Sequence, residues 1–206
     1  NNVQKLNSFN ADGPVNVNND ITRVLPSANV QFNLTEKSLF RLAYGKTLNR
    51  PEFREIAPFS FYDFDQNFNV AGNPNLKTAK IDNYDLKYEF YPSSGELISI
   101  SGFYKKFKDA IEMTAIPGSN AQSFNFNNAQ KVRNVGVELE MRKSLAGISD
   151  SKFLNDITLT LNASYINSKV MFEGANAIGQ SNDRPMQGQS PYIINTAIFY
   201  NNIKSK

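Results

Sequence analysis

Residues 81–92 read "IDNYDLKYEFYP" and alternate strictly between polar and apolar side chains. The polar parity carries Asn83, Asp85, Lys87 and Glu89, and the apolar parity carries Tyr84, Leu86, Tyr88 and Phe90. Successive side chains of a β-strand point to opposite faces of the sheet, so a two-residue period predicts a strand with one polar and one apolar face.

The same two-residue period recurs along the chain, and helical periodicity is hard to find. We therefore predict an all-β fold, an antiparallel up-and-down meander of about seven strands. These are expected near 24–35, 38–47 and 81–91, from 96, at 135–143 and 157–165, and from 192. The chain is expected to form a single unit, 1–206, that is a partial β-barrel segment.

The connections between the predicted strands alternate in length. "TEKS" at 35–38 and "PSSG" at 92–95 are tight, 145–156 is a medium turn, and long loops are expected near 1–20, 48–80, 112–133 and 169–191. In a meander, successive connections lie at opposite ends of the strands, so the short turns share one end and the long loops the other. This asymmetry is typical of transmembrane β-barrels.

Aromatic residues favour the same interpretation, because membrane barrels place aromatic girdles where lipid meets water. Tyrosines on apolar parities lie toward the long-loop end, at Tyr44, Tyr84, Tyr104, Tyr165 and Tyr192. Other aromatics lie nearer the short turns, at Phe40, Phe90 and Tyr200. Two girdles are therefore predicted.

Composition excludes several classes of function. The net charge of +3 comes from scattered basic residues that pair locally with acids, so a nucleic-acid-binding stripe is not expected. Cysteine and histidine are both absent, which removes disulfides, zinc sites and the usual nucleophilic triads. We expect no enzyme, no catalytic residue and no cofactor. Asn1 opens a polar segment without signal-peptide character, which suggests a mature chain or an excised piece.

Alternation alone also fits a soluble β-sandwich, perhaps a ligand- or carbohydrate-binding module, whose apolar face would be its core. The loop asymmetry and the tyrosines favour the membrane barrel over this alternative.

One loop stretch, "YDFDQNFNVAGNPN" at 62–75, superficially resembles a calcium-binding loop. Counted from Asp63 as the first ligand, the sixth position is Phe68 where glycine is needed, and the twelfth is Pro74 where glutamate is needed, so an EF-hand is rejected. A looser Ca²⁺ site or a plain polar loop both stay open, and no metal ligand is assigned.

Several ordered motifs carry a family resemblance. "LPSANVQFNLTEKSLFRLAYGKTLNRPEFREIAPF" at 25–59, the Gly-Asn-Pro-x-Leu segment 72–76, and the Asn-Tyr-x-Leu-x-Tyr-Glu strand 83–89 resemble the barrel of TonB-dependent outer-membrane receptors. "GELISISGFYKKFKDAIE", "NVGVELEMRKSL" and "RPMQGQSPYIINTAIFY" extend this resemblance over roughly 20–202.

The resemblance implies a role for the parent protein. It would import a scarce nutrient, such as a siderophore, cobalamin or glycan, across the outer membrane of a Gram-negative bacterium. Its partners would be outer-membrane lipid, the small nutrient ligand, and the TonB system through an N-terminal region that this chain lacks. Ligand contacts are expected from loop residues Arg50, Arg54, Tyr62, Asp63, Asp65 and Asn73.

The resemblance also predicts facings for the strands. The lumen wall would carry Asn83, Asp85, Lys87, Glu89, Glu138, Glu140 and Arg142, and lipid would meet Tyr84, Leu86, Tyr88, Val137 and Leu139. Plug and closing strands are missing, so the chain is expected to be a barrel fragment. Such a fragment would hide its apolar face by curling onto itself or by pairing with another copy.

Overall fold

The computed structural model describes residues 2–10, 13–118, 123–148, 150–174, 180–181 and 183–201. The elements in chain order are β1 (Asn2–Asn10), β2 (Gly13–Ile21), β3 (Ser27–Thr35), β4 (Ser38–Asn49), α1 (Phe53–Ile56), β5 (Ser60–Asp63), β6 (Phe68–Ala71), β7 (Ala79–Phe90), β8 (Leu97–Ala115), β9 (Ser123–Ser144), α2 (Lys152–Asn155), β10 (Ile157–Met171) and β11 (Tyr192–Tyr200).

The main sheet is an antiparallel meander. Its strands lie in the order β11-β10-β9-β8-β7-β4-β3, so each long strand pairs with the next long strand along the chain. The short strands β5 and β6 form a hairpin that joins the sheet where β6 runs parallel to β9 at 123–125. The predicted fold class is confirmed, and within the described residues the sheet stays open, with β3 and β11 at its edges.

The strand register aligns the apolar parities into continuous rows. One row crosses the whole sheet through Phe32, Phe40, Tyr88, Ile100, Leu139, Ala163 and Ile194, and the row above it through Val30, Leu42, Leu86, Gly102, Val137, Tyr165 and Tyr192. A one-residue slip of any strand would move its apolar set to the other face. The register therefore gives the sheet one uninterrupted apolar face.

Local sequence explains both tight turns. At the β3–β4 turn the hydroxyls of Thr35 and Ser38 are hydrogen-bonded at 2.7 Å, and the Lys37 backbone N–H donates to Thr35 Oγ1. At the β7–β8 turn Gly95 has φ +80°, a backbone conformation that glycine adopts without steric cost.

The long-loop predictions need correction. The loop expected at 48–80 contains α1, β5 and β6, and the loop expected at 169–191 begins with the end of β10. Residues 2–10 and 13–21, expected within a long loop, form the β1–β2 hairpin. Residues 112–115 and 123–133, also expected in a loop, belong to β8 and β9, which pair out to Ala115 and Phe124. The β8–β9 hairpin therefore projects well beyond its neighbours at the long-loop end.

The buried core lies around this projecting hairpin and not under the sheet. On one side it packs Ala110, Ala129, Val132, Val170 and Phe172; on the other, Val17, Ile56 and Leu76 pack with Ile111 and Phe126. Before Asp109 the more buried residues of β8 are odd-numbered, and after it they are even-numbered. Asp109 itself has φ +59°. Both faces of the tip are therefore covered by neighbouring loops.

The apolar face of the main sheet is uncovered. Tyr84 is 47% exposed and Leu86 49% exposed, whereas Glu89 on the opposite face is 6% exposed. The expectation that the chain curls over its own apolar face is therefore wrong for the described residues, while pairing with a second copy stays a prediction. No helix in the described part of the chain is long and apolar enough to cross a membrane.

Candidate functional site

The polar face of the sheet carries a network of paired charges. Arg41 Nε donates to both carboxylate oxygens of Glu89 at 3.2 and 3.3 Å, and Lys87 Nζ lies 3.5 Å from Glu89 and 3.4 Å from Glu140. Tyr91 donates its hydroxyl to Glu89 at 2.8 Å. Residues from β4, β7 and β9 thus neutralise one another across this surface.

Beside this network lies a polar concavity of about 380 Å³. Lys87, Ser101, Glu138 and Asn162 are among its lining residues, and Ser101 Oγ donates to Glu138 at 3.4 Å. Alternation places the predicted lumen residues on this face together, since they share one parity on β7 and one on β9. This face of the sheet therefore presents a polar surface of hydrogen-bonding groups.

The apolar face carries an aromatic row at its long-loop side. Tyr84 lies directly opposite Tyr44 and Tyr104 on the flanking strands, with ring centroids 5.1 and 6.2 Å away. Tyr165 and Tyr192 lie directly opposite each other on neighbouring strands, in the next row of the apolar face toward the short turns. The register therefore gathers the five tyrosines predicted for the long-loop girdle into two neighbouring rows of the apolar face.

Residues 50–78 form an ordered loop over the sheet end. The short helix α1 begins with a capping box in which the backbone N–H of Glu52 donates to the Glu55 side chain at 2.8 Å. Half-burial raises the pKa of Glu55 above its ordinary value. The Arg54 guanidinium stacks over the Phe61 ring, 3.6 Å from its centroid. These contacts fix α1 against the β5–β6 hairpin.

Two of the predicted ligand-contact residues share a cavity. Arg54 and Asp63 line a space of about 170 Å³ together with Met113 and Phe126 from the β8–β9 tip. Glu52 and Glu55 also line this cavity, so it brings one exposed cation and three carboxylates beside apolar walls.

The other predicted contacts are dispersed. The Tyr62 hydroxyl donates to Asn67, and Asp63 Oδ1 accepts from the backbone N–H groups of Asp65 and Gln66 at 3.1 and 3.0 Å. Asp63 thereby closes the β5–β6 turn. In the part of the chain that the structure describes, no three acidic side chains are grouped as metal ligands.

Asn73 holds the loop together, a use that the sequence prediction did not anticipate. Its amide donates to the Phe126 carbonyl at 2.9 Å, and its Oδ1 accepts from the Asn75 backbone N–H at 3.0 Å. Arg50, by contrast, is exposed on the connection between β4 and α1. Five of the six predicted contacts thus lie on or beside the α1 and β5–β6 segments, and Arg50 precedes them.

A buried ion pair was missed by the sequence prediction. Arg184 Nη1 donates to Glu112 Oε2 at 2.7 Å, with the Glu112 side chain 1% exposed. Burial raises the pKa of Glu112 above its ordinary value, and Arg184 opposes that rise. Arg184 also lies over the Phe172 ring. The pair fastens the 172–191 connection to the β8–β9 tip.

The open meander has one apolar face, one polar face and long loops at one end, which is the arrangement of the wall of a large barrel. Comparison with known proteins agrees with this interpretation. Residues 2–203 match the family described as "TonB dependent receptor-like, beta-barrel". The chain belongs to this family. It is a family of transport receptors and not of enzymes. The soluble-sandwich alternative is therefore wrong.

Solved structures show the same fold at low sequence identity. A siderophore receptor from Pseudomonas aeruginosa is 18% identical, with a TM-score of 0.52 over 76% of this chain and 26% of that chain. A mutant ferric enterobactin receptor from the same organism, in complex with enterobactin, is 17% identical, with a TM-score of 0.58 over 91% and 26%.

The alcaligin outer-membrane receptor of Bordetella pertussis is 13% identical, with a TM-score of 0.53 over 90% of this chain and 28% of that chain. This chain thus spans about a quarter of the length of the structures it matches. No curated protein matches it in sequence.

Proposed function

We propose that this chain is part of the barrel wall of a receptor that imports a scarce nutrient across the outer membrane of a Gram-negative bacterium. The observation that carries this proposal is the continuous apolar face, which ends in a tyrosine row and is backed by a wet, charge-paired face. Lipid would cover the apolar face, and the polar face would line the lumen.

The energy for import would come from the TonB system, which membership of the family supports. The contact would be made by regions of the receptor outside this chain, because the chain matches only the barrel domain. The chain's own contribution is the wall and the loops at its long-loop end.

Three nutrient classes are consistent with such a receptor: siderophores, cobalamin and glycans. A ferric siderophore is the first candidate, since the similar solved structures are named as siderophore receptors. Anionic ferric complexes suit exposed guanidinium groups, which favour bidentate contact with carboxylates and other anionic oxygen acceptors. Ligand contact is assigned to Arg50, Arg54, Tyr62, Asp63, Asp65 and Asn73.

Uptake by a strain that lacks the full-length gene tests the proposal. The strain would be offered radiolabelled ferric siderophores, cobalamin and oligosaccharides separately. We expect loss of uptake of one of these, restored by the wild-type gene and abolished by a proton uncoupler. Unchanged uptake across the whole panel would contradict an import role.

A pair of loop variants tests the assigned contacts. Arg50→Gln combined with Arg54→Gln is expected to raise the ligand concentration needed for half-maximal uptake roughly tenfold, since a charge-assisted hydrogen bond contributes about 1.5 kcal/mol or more. Lys37→Gln combined with Lys152→Gln, at the short-turn end, is the matched loss of two charges and should leave uptake unchanged. Equal effects of the two changes would remove the assignment.

A further inference from the structure

The β8–β9 hairpin continues beyond the neighbouring strand β7. Pairing between β7 and β8 ends at Lys80 and Lys108, whereas β8 pairs with β9 as far as Ala115. Past Lys108, one edge of β8 therefore carries backbone N–H and C=O groups that β7 does not reach. Backbone groups in such a position need partners from elsewhere in the fold.

A glutamine side chain supplies those partners at Met113. The Met113 backbone N–H donates to Gln187 Oε1 at 3.0 Å, and Gln187 Nε2 donates to the Met113 carbonyl at 3.3 Å. Two residues that face each other in an antiparallel sheet exchange the same two hydrogen bonds. The Gln187 carboxamide has both a donor and an acceptor, so it takes the place of a neighbouring strand.

Gln187 is held in place by its own segment. Its backbone N–H donates to Glu112 Oε2 at 3.4 Å, and Arg184 Nη1 donates to the same oxygen at 2.7 Å. On the other side, the Val170 backbone N–H donates to the Arg184 carbonyl at 3.0 Å. Residues 184–187 are thus fixed to β10 through the backbone and to β8 at two consecutive residues.

Met113 also belongs to the cavity beside α1. It lies directly opposite Phe126 on β9, and both side chains line the cavity of about 170 Å³ that Arg54 and Asp63 share. The Phe126 carbonyl accepts a hydrogen bond from the Asn73 amide at 2.9 Å. Each member of the Met113–Phe126 pair is therefore held at its backbone by a side-chain amide from a different loop.

The size and lining of this cavity restrict what it can hold. Its volume of about 170 Å³ is close to the roughly 150 Å³ of an apolar protein cavity that binds benzene, so it admits about one six-membered ring. Met113, Phe126 and Val70 offer apolar contact, and the three lining carboxylates accept hydrogen bonds. A ring that carries hydroxyl groups matches both, because it presents apolar surface to the walls and donors to the carboxylates.

We propose that the cavity takes one hydroxylated six-membered ring of the nutrient against Met113 and Phe126, and that Gln187 is a positioning residue which acts through Met113. Loss of the Gln187 amide would leave the Met113 edge unpaired and let the cavity wall move. The ring belongs either to a phenol or to a sugar, and the experiment separates these two sources. The inference rests on the proposed import function, because nutrient contacts are assigned to this loop.

NMR of the full-length receptor, labelled with ¹³C in its methionine methyl groups, tests the cavity with catechol and methyl α-glucoside as separate probes. Met113→Leu identifies the Met113 signal by its loss. That signal should shift with catechol for a phenolic ring and with methyl α-glucoside for a sugar ring. A shift with neither probe would overturn the proposal.

Gln187→Leu removes both hydrogen bonds to Met113 and keeps a side chain of similar size. It should weaken probe binding, followed by titration of the Met113 signal, roughly tenfold, since two hydrogen bonds of ordinary strength together contribute about that factor. The matched control is Gln189→Leu, because the Gln189 amide donates to the carbonyl of the adjacent Ser190. The control should bind like the wild type, and equal weakening in both variants would overturn the proposal.

Uptake of an imported nutrient separates positioning from a merely structural role. Gln187→Leu should raise the concentration for half-maximal uptake and leave the maximal rate unchanged, whereas loss of folded receptor would lower the maximal rate. In a Met113→Ala background the same change should add nothing, because the side chain through which Gln187 acts is gone. A further rise in that background, or a fall in the maximal rate alone, would overturn the proposal. If no nutrient were imported, the import role would fail while the NMR titration would still decide this proposal.

Discussion

Arg184 reaches back across the fold to Glu112, with 2.7 Å between Nη1 and Oε2, although 72 residues separate the two in sequence. Glu112 also accepts from the backbone N–H of Gln187 at 3.4 Å. The pair is one of the links between the projecting β8–β9 hairpin and the connection that leads to β11, together with the Gln187 side chain, which bonds the Met113 backbone.

Glu112→Ala is expected to loosen this connection by about 2 kcal/mol, because it leaves a partly buried guanidinium without its partner. Hydrogen exchange of the amides at 184–187 in the full-length receptor measures the loss. Arg184→Ala should cost a similar amount, and the double variant should cost little more than either single change. Strictly additive costs would show that the two residues act independently.

Gly72 is expected to resist substitution although its φ is not positive. A Cβ at this position would collide with the backbone of Ala57, which cannot move aside as a flexible side chain can. Gly72→Ala should therefore destabilise the 50–78 loop by roughly 2 kcal/mol or more. Limited proteolysis of this loop gives the readout.

Gly45→Ala is the matched control, since the nearest atom to its Cβ is Ser27 Cβ at 4.0 Å. This change should be neutral or slightly stabilising, because alanine loses less backbone entropy than glycine on folding. Equal proteolytic susceptibility of the two variants would remove the steric account of Gly72.

Acid should loosen the β7–β8 turn. Lys143 Nζ donates to Glu96 Oε1 at 2.6 Å and lowers the pKa of Glu96 below its ordinary value of 4.5. A lowered carboxyl pKa contributes stability that is complete above 4.5 and is lost as the pH falls through the folded-state pKa.

Hydrogen exchange at 92–96, corrected for intrinsic rates, should therefore accelerate as the pH is lowered through that range. Glu96→Gln should abolish this pH dependence, whereas Glu36→Gln in the neighbouring tight turn should preserve it. Persistence of the full dependence in Glu96→Gln would assign the effect to another group.

The long strands were predictable because their signal is local. In β7 the two parities differ at every step from Asn83 to Phe90, and a sheet that faces lipid on one side and water on the other requires this alternation. The expected facings follow from the same pattern.

The projecting hairpin was not predictable by that rule. Residues 123–133 carry Phe124, Phe126 and Val132 among asparagines, and both faces are covered by neighbouring loops, so neither face is consistently apolar. The β1–β2 hairpin was missed for a related reason, since its described apolar side chains that pack inward, Leu6, Val15 and Val17, lie in an asparagine-rich stretch.

The candidate site was predictable only in part. The exposed Arg54 and the half-buried Asp63 could be chosen from a polar, aromatic-rich loop, and the fold brings them to one cavity. The amide of Asn73 could not be assigned, because its partners Phe126 and Asn127 lie on a strand far along the chain.

Site-directed fluorescence tests the central claim, that the apolar parity faces lipid and the polar parity faces the lumen. The chain contains no cysteine, so single-cysteine variants can be labelled within it. Leu86→Cys and Lys87→Cys are sequence neighbours on opposite faces, as are Val137→Cys and Glu138→Cys.

Each variant of the full-length receptor would carry an environment-sensitive fluorophore and be reconstituted into vesicles that contain brominated lipids, which quench fluorophores exposed to the hydrocarbon. We predict strong quenching at positions 86 and 137 and little at 87 and 138. Equal quenching at all four positions, or quenching confined to 87 and 138, would contradict the account.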